Sequence, residues 1–112
     1  MLRSLLGLTL CLSLGSTWAQ SPPKAETAAT LFRDADLPLG ERLLRESRCA
    51  ECHAGKVGGD GASIYRPKGR INTPAALRGM VDYCSTELKL SLFPEEVVAI
   101  AAVLNRDHYK FP

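Results

Sequence analysis

The sequence predicts an all-α domain of three to four helices, on three observations. Several stretches repeat apolar residues at i, i+3, i+4 and i+7, the spacing of one helical face. Helix-starting residues stand ahead of those stretches, at Asp36, at Thr73-Pro74 and at Pro94. No stretch shows the period-two alternation of a half-buried strand. A length of 112 residues argues for one domain. Apolar residues make up 46% of the chain, enough for a packed core and too many for a disordered one. Fourteen Lys and Arg against twelve Asp and Glu exclude a nucleic-acid binder driven by a large basic field. Four cysteines are too few for a disulfide scaffold.

Residues 1–19 read as a secretory leader. Arg3 supplies the positive start, Leu5 to Leu14 the apolar run, and Thr17-Trp18-Ala19 the small residues of a cleavage site after Ala19. Gly15, Ser16 and Gln20 cut the run short of a membrane anchor. Cleavage removes Cys11 and leaves Cys49, Cys52 and Cys84, an odd set that cannot pair fully within one chain. Residues 20–35 form a flexible N-terminal lead, polar and Pro-rich over Gln20–Lys24, with a short helix expected over Ala25–Asp34. The folded domain is expected over residues 36–112.

Its first helix starts with Asp36 as cap and Pro38 in the first turn, presents Leu39, Leu43 and Leu44, and runs to about Arg48. After His53, Gly55, Gly58, Gly59 and Gly61 predict a loop that continues through Tyr65-Arg66-Pro67-Lys68-Gly69-Arg70. A long loop in a small domain usually has a use, and wrapping a cofactor edge is one. The next helix begins at Thr73-Pro74 and carries Leu77, Met80, Val81 and Cys84 on one face. The last opens at Pro94 with Glu95 and Glu96 in its first turn. It turns Val97, Ile100, Ala101 and Leu104 inward, with Val98, Ala102 and Val103 widening the stripe. Asn105 to His108 close it, ahead of Tyr109 and Phe111.

Between the first helix and the loop stands Cys49-Ala50-Glu51-Cys52-His53. In an exported chain, Cys-x-x-Cys-His is the attachment sequence of haem c. Two thiols one helical turn apart match the two vinyl groups of the porphyrin and form thioethers with them. The histidine that follows reaches the iron as its proximal ligand. Its other ring nitrogen is expected to donate to a backbone carbonyl, which fixes the tautomer. Other readings are a thioredoxin-type redox pair, which lacks a surrounding βαβ pattern, and half a zinc site, for which only Cys84 and His108 remain.

On these residues the chain resembles the class I, monohaem cytochromes c. Gly40-Glu41-Arg42-Leu43-Leu44 ahead of the motif resembles the family's N-terminal helix, where a glycine packs on the C-terminal helix. Phe93-Pro94-Glu95-Glu96 through Leu104-Asn105 resembles that C-terminal helix. The resemblance spans residues 36–111. It departs at a Leu in place of the N-terminal helix's usual aromatic, and at Ala101-Ala102-Val103 where an aromatic is common. It implies a small cytochrome c-like domain packed around one covalent haem, with Cys49, Cys52, His53 and Met80 as cofactor-binding residues and His53 and Met80 as metal ligands. By the same analogy the carbonyl of Pro67 accepts the hydrogen bond that His53 donates. One of Arg66, Lys68 and Arg70 pairs with a propionate or steers an acidic partner.

The sixth ligand decides what such a protein does. Met80 is the only methionine left after the leader, and it follows His53 and precedes the last helix, the family's order. Alternatively it is a core filler on its helix. Cys84-Ser85-Thr86 resembles a high-spin branch that binds small gases, with Ser85 where that branch has a weakly ligating Asn. His108 is the third option. Cys84 itself is either a buried small apolar residue or one half of an intermolecular disulfide.

The expectation is a periplasmic, monomeric one-electron carrier. It is not an enzyme and touches soluble or membrane redox proteins transiently. The alternatives are a gas-binding protein with an open or weak sixth position and the haem subunit of a larger oxidoreductase. A domain this small buries too little surface to be robust alone, so the haem is expected to complete its core. Circular dichroism of the Cys49→Ser/Cys52→Ser double variant should show reduced helicity and no cooperative melt. Native helicity with a cooperative melt would contradict a structural role for the haem.

Overall fold

A computed structural model describes residues 18–66 and 68–112. Five α-helices follow one another: α1 (Ala28–Leu31), α2 (Leu37–Glu46), α3 (Cys49–Val57), α4 (Pro74–Glu87) and α5 (Pro94–Leu104). A 3₁₀ turn covers Ala62–Ile64, and a π-helical turn over Asn105–Tyr109 extends α5. The described residues hold no strand. None of their helices is long and apolar enough to cross a membrane. Leader residues 1–17 lie outside the described residues, and the expected cleavage point after Ala19 lies within them. Trp18 to Gln20 are exposed.

Helix α5 is the centre. Val97, Ala99, Ile100, Ala101, Ala102, Val103 and Leu104 are all buried, so the helix is covered on more than one face. Its start is secured by Glu96, whose Oε2 accepts from the Phe93 N–H at 2.8 Å, and by Pro94, which has no N–H to leave unpaired. Helix α2 crosses it at Gly40. A Cβ on Gly40 would meet the carbonyl oxygen of Ala99, its carbonyl carbon at 2.6 Å, and Val103 Cγ2 at 2.9 Å. Gly40 and Ala99 therefore bring two backbones together where any larger pair would push them apart. Helix α4 packs on α5 through Leu77, the largest fully buried side chain, whose burial stabilises by about 1.5–3 kcal/mol.

The local start signals are realised as expected. Asp36 Oδ1 accepts from the Leu39 N–H at 2.9 Å, and Thr73 Oγ1 from the Ala76 N–H at 3.1 Å. Four features differ from expectation. Among the described residues the helix count is five, because α2 does not run into the motif: Arg48 adopts a left-handed φ of 53° and the chain restarts as α3. Helix α3 passes straight through Gly55 to Val57, so the glycine loop begins only at Gly58. The expected helix over Ala25–Asp34 is a single turn, α1. The lead is docked from that turn onward: Ala28 is buried, its N–H donates to the Pro112 carbonyl at 2.7 Å, and Phe32 packs on the core.

The chain's end is pinned as well. The Asn105 amide binds both backbone groups of Phe111, accepting its N–H at 2.8 Å and donating to its carbonyl at 3.2 Å. Arg106 bridges Glu41 on α2 at 2.8 Å and Asp107 at 2.7 Å, and the guanidinium holds the Asp107 carboxyl below the usual range.

Gly40→Ala should cost about 3 kcal/mol, because backbone rather than a flexible side chain opposes the new methyl. For a domain of this size that is a fall of more than about 10 °C in Tm. An unchanged thermal melt of the protein would show that the crossing is not this tight.

Candidate functional site

Cys49, Cys52 and His53 share the first turns of α3, a helix with no buried residue. Its geometry begins at Arg48, where the left-handed residue redirects the chain straight after α2. An exposed pair, Arg48 with Glu51 at 2.9 Å, adds little. What holds α3 is the loop behind it. Gly58 ends the helix with φ 81°, and Gly61, at φ 80°, brings the chain back onto it. A Cβ at Gly61 would stand 2.7 Å from the Ala50 carbonyl oxygen and the Ala54 nitrogen, and 2.8 Å from His53 Cβ. Only glycine fits this combination of left-handed backbone and contact. Asp60 Oδ1 accepts from the Ala62 N–H at 3.0 Å and helps to shape the return.

That return delivers Tyr65 to His53. The Tyr65 hydroxyl lies 2.9 Å from His53 Nδ1, and the two rings meet edge to face at 5.3 Å. Tyr65 also stacks on His108, with centroids 4.5 Å apart and planes tilted 30°, and sits edge-on to Tyr109 at 6.2 Å. Phe111 stacks on Tyr109 at 5.5 Å and ends the cluster. A backbone carbonyl was the expected partner of His53. Its Nδ1 is instead met by a side-chain phenol, because Gly61 lays the loop against α3 a few residues before Tyr65. Pro67, proposed for that carbonyl, lies outside the described residues.

The site favours neutral groups. Burial pushes the Cys49 thiol above its ordinary value, opposed by a backbone hydrogen bond and reinforced by Cys84 and Cys52. Burial raises Cys84 too, with Lys56 opposing. Burial and then Lys56 lower the His53 imidazole. Burial carries the Tyr65 phenol up to about 12, with smaller contributions from Cys49, Tyr109 and Cys84. A thioredoxin-type pair needs a thiol lowered toward thiolate, and Cys49 is moved the other way. Among the described residues, no three His, Cys, Asp or Glu side chains are placed to hold a metal ion, so the zinc alternative is not assembled.

A cleft of about 480 Å³ opens beside Cys49, lined among others by Leu44, Tyr65, Val103, Leu104 and His108. Cys52, His53 and Met80 are not part of its wall. Met80 lies in the middle of α4 and is 36% exposed, whereas Leu77 and Val81 of the same helix pack into or against the core. Cys84 is half-buried, and Ser85 is buried with its carbonyl accepting from the Leu90 N–H. Arg66, Lys68 and Arg70 are exposed, Arg66 donating to the Ser63 carbonyl at 3.2 Å. The motif is thus brought together with Tyr65, and Cys84 lies near enough to Cys49 to influence its thiol, while Met80 is an exposed residue of α4. Tyr65 is the residue that sequence reasoning missed. Its only signal was an aromatic just after a Gly-rich run.

The donor set fits a covalently attached haem. Two free thiols stand on one turn of a solvent-facing helix. The adjacent imidazole is engaged at Nδ1, which leaves Nε2 for a metal. No protein-family model, curated protein or solved structure gives a significant match to the chain.

Gly61→Ala should cost about 2 kcal/mol or more, from the left-handed residue and its contact with α3 together. A lowered Tm should result. A wild-type Tm would show that the return loop does not brace the motif.

Proposed function

We propose that this chain is an exported monohaem c-type cytochrome that carries one electron between redox partners in the periplasm. The observation that carries the reading is the Cys49, Cys52, His53 constellation on one exposed helix, with His53 already tied at Nδ1. A bound haem supplies an iron that gains and loses one electron while its surroundings stay fixed. Cys49 and Cys52 would hold it. Both are free thiols, available to hold such a group covalently as thioethers. His53 would ligate the metal through Nε2, the ring nitrogen that Tyr65 leaves free. The reading that this is a class I cytochrome c rests on that motif and on the α2–α5 crossing at Gly40. The leader-like residues 1–19 support export.

Met80 remains the proposed sixth ligand. One observation favours a second reading, an open or weakly filled sixth position that admits small gases: Met80 is a solvent-exposed residue in mid-helix. His108 is a weaker candidate, since its ring is stacked on Tyr65, the residue that meets Nδ1 of His53.

Optical spectra of the oxidised and reduced protein, with and without carbon monoxide, separate the two. The electron carrier should be low-spin in both states and indifferent to carbon monoxide. It should also show a near-infrared sulfur-to-iron band that Met80→Ala abolishes. A high-spin ferrous wild type that binds carbon monoxide would overturn Met80 ligation and support the gas-binding reading.

A further inference from the structure

We infer that Tyr65 is the positioning residue of His53, its phenol oxygen accepting the Nδ1–H of the imidazole and thereby setting how strongly His53 donates to a metal at Nε2. The inference rests on the haem reading above. It concerns one residue that the motif does not contain.

The contact is built rather than incidental. Tyr65 lies twelve residues beyond His53, and its oxygen reaches Nδ1 at 2.9 Å. Two features of the chain bring it there. Gly61, left-handed and so close to α3 that an added Cβ would stand 2.8 Å from His53 Cβ, brings the loop onto the helix. The Tyr65 ring is then gripped from behind by His108 at 4.5 Å and Tyr109 at 6.2 Å, and it packs against the core cluster of Leu43, Leu77, Ile100 and Leu104. A side chain fixed on both sides has few other places to put its hydroxyl.

The chemistry follows from which nitrogen is bonded. With a metal on Nε2, the ring proton is on Nδ1, so Nδ1–H donates and the phenol oxygen accepts. That bond orients the ring and makes the imidazole a richer donor, which favours the oxidised metal. A phenol oxygen carries its own proton and is a milder acceptor than a carboxylate. Its effect is therefore one of tuning. Removing it leaves His53 a poorer donor and shifts the balance toward the reduced metal.

Tyr65→Phe keeps the ring and deletes only the oxygen. The test compares this variant with wild type as exported holoproteins, reading haem content, helicity and midpoint potential at neutral pH. Full haem loading and wild-type helicity are expected, with a rise in potential equivalent to roughly a two- to tenfold shift toward the ferrous form. A loaded, folded variant with an unmoved potential would overturn the inference while leaving the haem reading intact. A wild-type chain without haem would overturn both. Should the variant fail to fold, the ferrous wild type decides by nuclear magnetic resonance. A slowly exchanging Nδ1–H on His53 with cross-peaks to the Tyr65 ring supports the bond, and a rapidly exchanging one without them overturns it.

Discussion

The structure depends on two backbones touching. Gly40 on α2 and Ala99 on α5 meet at a distance no side chain could share, and the rest of the domain is arranged around that crossing. Helix α5 is buried along almost its whole length because α2, α4 and the C-terminal aromatics surround it. Close crossing also fixes the site. Only Ser47 and Arg48 separate the end of α2 from Cys49, so the orientation of α2 and the left-handed turn at Arg48 determine where the reactive helix begins.

Helix α3 is an unusual element on energetic grounds. It carries the three residues with chemistry and buries none of its side chains. Isolated helices of this length are marginal in water, and this one contains Gly55. Its supports are few: the backbone contact at Gly61, the Tyr65 bond to His53, and the half-buried thiol of Cys49. A flat apolar group bonded to both thiols would supply the partner that the polypeptide does not. Burial favours the neutral forms of Cys49, Cys84, His53 and Tyr65, since a buried charge without a partner would be costly.

What the sequence made legible was local. Asp36, Thr73-Pro74 and Pro94 start helices through bonds that span three or four residues, so they could be read directly. The core face of α5 was legible for a related reason, because helical periodicity names a face. It did not identify Ala99 as the contact for Gly40. The break at Arg48 was invisible, since a left-handed arginine leaves no mark in composition. Gly55 was misread as a breaker because a single glycine only weakens a helix. The lead seemed unattached because the bond from Ala28 to Pro112 joins the two ends of the domain. Tyr65 was missed for the same reason, as its partner depends on a loop turning back at Gly61. Periodicity put Met80 on the same stripe as Leu77 and Val81, and it sits at the exposed margin of that stripe.

The most direct measurement is the intact mass and peptide map of the full chain after export from a host able to install haem. One added haem is expected, with Cys49 and Cys52 both converted to thioethers and Cys84 left as a thiol or in a disulfide. A product of unmodified mass, with Cys49 and Cys52 still free, would contradict the claim that this helix exists to carry a porphyrin.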